Sequence, residues 1–417
     1  MREGLSVDEA QRLILDLTPV LPAETISTAR AMGRVLAEPL DSMRRHPPAD
    51  CSAMDGYAVR AADLQGASAA HPIELPVAFE VAAGARIERS LAPGECARIF
   101  TGAPLPAGAD AVVRQEDTRA SGNRVHLLVE AAPREHVRDA GEDFDVGDRL
   151  IEAGSVLGPA HLGVLASVGR SIVSVHQRAS VAILSSGDEL VQPDRSVDGG
   201  QIVSSNAYTL AAQCREIGAR TMDLGIAADR PAAIEARFRA GLRADVIVSS
   251  AGVSVGDHDH VRGVLQRIGC KLHFWGVHMK PGYPLVFGVI EATGTLVFGL
   301  PGNPVSAAVT FEQFVRPALR RLMGHSALHR PVIRARLTED LRKPVGRLHF
   351  VRVRLEARDG EVFATPTSNQ SSGVLTSLIR GQGLAIFAAE AERLEAGSEV
   401  AVQILDPGFF DRTGRGF

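Results

Sequence analysis

Asp245-Val-Ile-Val-Ser-Ser250 and Thr295-Leu-Val-Phe-Gly-Leu-Pro-Gly-Asn-Pro-Val-Ser306 are the runs on which the reading of this chain turns. Each begins with a short, β-branched apolar stretch and ends in small polar residues and glycine, as a strand buried on both faces in a parallel sheet should. Between them the chain passes through Ala251-Gly-Val-Ser-Val-Gly-Asp-His-Asp259 and Trp275-Gly-Val-His-Met-Lys-Pro-Gly-Tyr-Pro284. In an open α/β sheet, ligands sit at the carboxyl ends of the strands, where such loops gather. Free N–H groups at a helix start attract anions, and serine hydroxyls add donors. The stretch therefore predicts a pocket for a phosphorylated ligand. Asn303 is placed to begin a helix whose first residue is Pro304.

Working outward, the same alternation holds upstream. Val181-Ala-Ile-Leu184 and Thr221-Met-Asp-Leu224 read as strands, and helices are expected from Ser204 to Ile217 and from Ala232 to Gly241. Strands alternating with helices imply a three-layer α/β domain with a mainly parallel sheet, here residues 179–326. After Pro331 the pattern turns to β. In His349-Phe-Val-Arg-Val-Arg-Leu355, Val351, Val353 and Leu355 share one face and Arg352 and Arg354 the other. Residues 327–417 are thus expected to form a small β domain.

Towards the N-terminus, Ser6-Val-Asp-Glu9 is a capping box that starts a helix with Ala10, Leu13, Ile14 and Leu17 on its apolar face. Thr25 to Leu36 reads as a second short helix. From Ile73 to Val129 short strands alternate with Pro/Gly turns, so residues 46–132 read as an inserted β domain. Residues 1–45 and 133–178 are expected to form one discontinuous, largely helical domain. The chain is thus an α/β multidomain protein, and a length of 417 residues calls for several cores.

A formal charge of −4 argues against general binding to nucleic acid, which wants a basic face. No apolar run long enough for a membrane span is present and no signal peptide is read, so the expected location is the cytoplasm. Cys51, Cys96, Cys214 and Cys270 show neither a C-x-x-C nor zinc spacing, and read as isolated reduced thiols. Only Lys271, Lys280 and Lys343 are lysines among 45 basic residues. A lysine kept for solubility would here be an arginine, so Lys280 beside the pocket stands out as a point charge for an oxyanion.

Ser52-Ala-Met-Asp-Gly-Tyr-Ala-Val59, Thr101-Gly-Ala-Pro-Leu-Pro106, Gly141-Glu-Asp143, Ser185-Ser-Gly-Asp-Glu-Leu190, Ser204-Ser-Asn206, Gly252-Val-Ser-Val-Gly-Asp-His-Asp259, Met279-Lys-Pro-Gly282 and Leu300-Pro-Gly-Asn-Pro-Val-Ser306 occur in that order. Together they resemble the molybdopterin molybdenumtransferases, the MoeA and gephyrin E-domain family, over nearly the whole chain. The resemblance implies an elongated four-domain protomer with a MogA-like central domain, a barrel-like C-terminal domain and a homodimer with the active site between subunits. It implies insertion of molybdenum from molybdate into the dithiolene of adenylyl-molybdopterin, with Mg2+ as cofactor and release of AMP. The implied partners are a MogA-like molybdopterin adenylyltransferase and recipient molybdoenzymes.

The resemblance also assigns residues. Asp55, Asp143, Glu189, Asp229, Asp259 and Lys280 are the implied catalytic groups, with Glu189, Asp229 and Asp259 the implied metal ligands. Thr101, Ser306, Arg352, Ser372, Pro301 and Pro304 are the implied substrate and molybdate contacts. Each has a plainer reading. Loop aspartates, Asp188 and Asp257 among them, cap helices well; Ser306 is a first-turn serine, Arg352 a strand-face arginine and Thr101 a turn threonine. His258 and His260 read as solvated. The chain departs from the family at Tyr283, where lysine is frequent, at Gly276, where some members carry a basic residue, and at Cys51 and Ala251. Loss of a cation at 283 weakens anion capture unless an arginine compensates. A non-catalytic scaffold or cofactor-binding paralogue and a tungstate-inserting transferase are the alternative readings.

Overall fold

The computed structural model describes residues 1–250 and 260–411; Asp257, Asp259 and the rest of 251–259 lie outside the described residues, as do 412–417. The chain forms two compact units, one of residues 1–38, 153–159 and 172–417, the other of residues 39–152 and 160–171.

The first unit is built on a seven-stranded sheet. Its strands lie in the order Arg2–Leu5, Cys270–Val277, Val286–Ile290, Thr295–Leu300, Val246–Ser250, Ser180–Ser186, Arg220–Ala227. The last four are mutually parallel, Arg2–Leu5 is parallel to Cys270–Val277, and Val286–Ile290 is antiparallel to both neighbours. The expected mainly parallel sheet is therefore present. Its central strands Val286–Ile290, Thr295–Leu300, Val246–Ser250 and Ser180–Ser186 are buried along nearly their whole length because both faces are covered. Val181, Ile183, Val246 and Val248 enter one core, with helices Val7–Asp16, Asn206–Glu216, Pro304–Thr310 and Arg316–Leu322. Ala182, Leu184 and Ile247 enter the other, against Pro231–Gly241 and His260–Arg267. This is the three-layer arrangement.

The capping box forms as read: Ser6 Oγ accepts from Glu9 N–H at 3.2 Å, and Glu9 Oε2 accepts from Ser6 N–H at 2.9 Å. It starts the helix that buries Ala10 and Ile14 in the first core. Ser6→Ala is expected to lower stability by about 1 kcal/mol, read as a shift in the urea midpoint.

Residues 25–36 are a correction. Ala23–Ser27 is a strand antiparallel to Ile172–His176, and only Thr28–Arg30 makes a single helical turn. Thr25 and Ile26 are β-branched and find a partner about 150 residues away, which outweighs the local helical spacing.

The C-terminal strands close on themselves. Leu348–Arg358, Glu361–Pro366, Val332–Leu337, Glu399–Ile404 and Gly383–Phe387 follow one another, and the last pairs back with the first. Met279–Lys280 is added at the side, parallel to Leu348–Arg358. Val351, Val353 and Leu355 enter the barrel core on one face, as the alternation requires.

The second unit holds a six-stranded sheet in the order Ala111–Arg114, Gly56–Val59, Cys96–Ile99, Ile73–Val81, Arg124–Leu127, Thr118–Ser121. Gly56 is required there because a Cβ would lie 2.0 Å from the Val113 carbonyl oxygen. No described helix is long and apolar enough to cross a membrane.

Candidate active site

The carboxyl ends of the parallel strands open into a cleft of ≈ 760 Å³. Ser250 ends one strand at its edge, Glu189 follows the next, and Pro301 to Pro304 follow a third. Polar small residues line it. Ser204 Oγ donates to Ser185 Oγ at 3.2 Å, and Ser185 Oγ lies 3.5 Å from Ser250 Oγ. Asn206 Nδ2 donates to the Gly302 carbonyl at 2.8 Å and ties the 301–304 loop to the helix it begins. Of the expected contacts, Glu189, Pro301, Pro304 and Ser306 line this cleft.

One corner is acidic. The Glu189 carboxylate folds back over Gly187, where a Cβ would meet Oε2 at 2.5 Å and φ is +147°. Asp188 Oδ1 accepts from the Asp229 N–H at 3.1 Å, so the ends of two neighbouring strands meet here. Asp188 thus acts as a loop cap, while Glu189 and Asp229 are exposed. Asp259, expected as their companion, lies outside the described residues. Among the described residues no group of three or more His, Cys, Asp or Glu side chains is placed to hold a metal. The donors that do gather are all hard oxygens.

The barrel supplies the opposite wall. Gly373 and Leu375 line the cleft. Asn303 begins its helix as read, but its side chain does not cap it; Nδ2 donates instead to Ser372 Oγ at 3.0 Å, and the Val305 N–H donates to the Ser372 carbonyl at 3.0 Å. Ser372 is thereby joined to the cleft loop. Behind it lies Arg352, with 0% of its surface exposed. Nε donates to Ser377 Oγ at 3.3 Å, Nη2 to the Ser371 carbonyl at 3.2 Å, and Nη1 has no partner. Among the described residues no carboxylate pairs with it, and burial pulls its pKa down to about 10.

Lys280 is exposed and lies across from His349 on the neighbouring strand. Among the described residues it too lacks a carboxylate partner, whereas Lys271 pairs with Glu291 at 3.3 Å and Lys343 sits 4.8 Å over the Phe387 ring. His349 is 6% exposed, and neither ring nitrogen has a partner. Burial first, then Lys280, Arg352 and Lys343, hold its pKa to about 4. The region is thus positive and uncompensated, which is the electrostatic condition for taking an oxyanion.

In the second unit, Asp55 Oδ1 accepts from both the N–H and the hydroxyl of Thr101, each at 2.8 Å, and these bonds hold its carboxyl below the usual range. Asp143 is exposed, anchored through its N–H to the His46 carbonyl at 3.0 Å. All four cysteines are buried and free, and burial pushes Cys96, Cys214 and Cys270 up to about 12. None is a ready thiolate.

Further residues of the cleft lining carried no expected role. Asn206, Ser204 and Pro284 line the cleft. Ser204 and Asn206 stand in a motif block and Pro284 in the stretch Trp275–Pro284, but nothing local marks His349.

The sequence matches three family models in order: "MoeA N-terminal region (domain I and II)" over residues 5–169, "Probable molybdopterin binding domain" over 182–321 and "MoeA C-terminal region (domain IV)" over 334–405. It is 38% identical to a molybdopterin molybdenumtransferase of Nostoc sp., covering 95% of this chain and 93% of that one. It is 34% identical to the molybdopterin molybdenumtransferase of Haemophilus influenzae, covering 96% and 98%. The crystal structure of the molybdopterin biosynthesis MoeA protein from Pyrococcus horikoshii OT3 superposes with a TM-score of 0.83 at 28% identity, covering 96% of this chain and all of that one (100%).

Proposed function

This chain belongs to the MoeA family of molybdopterin molybdenumtransferases, and on that footing we propose that it inserts molybdenum from molybdate into adenylyl-molybdopterin and releases AMP. The observation that carries the reading is Arg352, a fully buried guanidinium with an unpartnered Nη1 and no carboxylate among the described residues. A cation held in that state is stable only if the fold tolerates its cost for a ligand, and a dianion is the ligand that repays it.

The cleft of ≈ 760 Å³ is within the range of sites for cofactor-sized molecules. Its hydroxyls and the Asn206 and Asn303 amides suit the polar edges and phosphates of the adenylylated cofactor. Arg352 and Lys280 hold molybdate, Ser306 and Ser372 supply hydroxyl donors, and Pro301 and Pro304 shape the loop between them. The sulfurs that take the metal belong to the cofactor, so the chain needs no thiolate of its own. Glu189 and Asp229, with Asp259, are the residues that would hold Mg2+, and an oxygen-only donor set suits that ion. Bound there, magnesium supplies neutralisation of the pyrophosphate charge. Asp55, Asp143 and Thr101 serve from the second copy of a homodimer. The protein works in the cytoplasm, between a MogA-like adenylyltransferase and the recipient molybdoenzymes.

The test is Lys280→Ala. It removes an exposed charge and no core volume, so the thermal transition should stay within about 1 °C while molybdate-dependent turnover falls by roughly tenfold or more. Normal turnover in this variant would sink the assignment of Lys280.

A further inference from the structure

We propose that Arg347, seated on the Tyr283 ring beside Lys280, is the residue that captures the incoming oxyanion; the proposal deepens the molybdate-site reading and rests on it. The Tyr283 ring is the platform. Tyr283 follows Lys280-Pro-Gly and precedes the cleft-lining Pro284. Its ring meets Trp275 edge-on, with centroids 5.6 Å apart and planes at 78°, and lies 5.8 Å from the His278 ring. It also covers Gly276, where a Cβ would come within 3.2 Å of the tyrosine Cζ and φ is +78°. The two departures from the family, Gly276 and Tyr283, are therefore one packing arrangement: the ring fits because residue 276 has no side chain.

Arg347 Cζ stands 4.7 Å from the Tyr283 centroid. Stacking on a ring orients a guanidinium without neutralising it. Arg347 is exposed, and among the described residues it has no carboxylate partner. Arg336 and Arg393 of the same barrel, by contrast, are tied to Glu361 at 2.8 Å and to Asp340 at 2.7 Å. Its donors stay available to a ligand.

Leu348, next to Arg347 in the chain, pairs with Met279, and its N–H donates to the His278 carbonyl at 3.0 Å. His349 then lies across from Lys280. The backbone of Arg347 thus runs beside the segment that carries Lys280, and Arg352 follows on the same strand. Arg347 adds a second exposed cation to Lys280 at this end of the strand pair, and Arg352 supplies the buried one. An exposed, pre-oriented cation favours capture, so its loss should raise the KM for molybdate more than it lowers kcat.

The experiment is titration of the full-length protein with molybdate alone, followed by the KM for molybdate during AMP release. Arg347→Ala and Tyr283→Ala should each weaken molybdate binding roughly tenfold, with the double variant no worse than either, because both remove the same interaction. Tyr283→Phe keeps the ring and should restore the affinity lost in Tyr283→Ala. Arg347→Ala within twofold of the unaltered protein, while Lys280→Ala is impaired, would overturn the role of Arg347 and leave the molybdate site standing. Unchanged binding in Arg347→Ala, Lys280→Ala and Arg352→Met alike would overturn the site reading, and the proposal with it.

Discussion

Replacing Arg352 by methionine is expected to weaken molybdate binding by about a hundredfold or more while leaving the protein as stable as before, or more stable. The two halves of this result come from one fact. The guanidinium is wholly buried, holds only Ser377 Oγ and the Ser371 carbonyl, and leaves Nη1 without a partner. Without a ligand its charge opposes folding. The sign agrees with its pKa, which burial draws down to about 10, below the ordinary value for arginine. The folded state binds the proton less tightly than the unfolded chain, so at neutral pH the destabilisation is fully present and is relieved only as pH rises through about 10. Methionine keeps much of the volume and removes the charge. Equilibrium dialysis with molybdate and urea unfolding of the same variant read the two effects separately. A loss of more than about 1 kcal/mol in urea unfolding would mean that Arg352 is a clasp for the 371–377 segment, with no free cation to offer.

The largest stability effect is expected one layer away, at Arg330. This side chain is buried, donating from Nε to Glu312 Oε2 at 2.7 Å and from Nη1 to the Leu405 carbonyl at 2.9 Å. Nη2 reaches Glu216 Oε1 at 2.9 Å. Glu312 is also buried, on the widened turn Phe311–Val315 between two helical segments, and Gln213 Nε2 donates to it at 2.8 Å. Arg330→Ala strands that carboxylate with Gln213 and with Arg316, whose Nε is 3.8 Å away. The expected loss is about 3–5 kcal/mol in urea unfolding. The double variant Arg330→Met, Glu312→Met should recover most of it, since it removes both charges. Activity should follow stability, because the network joins the helical layer that carries Ser306 to the end of the barrel strand at Leu405. A loss below about 1 kcal/mol would show that solvent reaches Glu312 and that the pair is not a lock.

How much of this was legible in the sequence differs from element to element, for physical reasons. The Ser6–Glu9 capping box and the strands of the central sheet depend on spacing within a few residues, and both formed as read. The alternation in 349–355 correctly placed Val351, Val353 and Leu355 in the barrel core. It could not show what covers the other face. There Phe350 enters the core of the α/β layer, and Ser371 together with Ser377 on the short helix Thr376–Arg380 closes over Arg352, so the arginine read as lying on a strand face is wholly buried. Asn303 marked a helix start at Pro304, but its side chain answers to Ser372, 69 residues on. Residues 25–36 failed as a helix for the same reason, a strand partner distant in the chain. Local pattern located the loops, and tertiary packing decided which of their side chains face the cleft.

Molybdenum insertion is read out by AMP release from purified adenylyl-molybdopterin with magnesium, with and without molybdate, for the unaltered protein and Arg352→Met. Release should depend on molybdate in the unaltered protein and be lost in the variant. Release indifferent to molybdate, or tight binding of the adenylylated cofactor with no release at all, would contradict the proposed function.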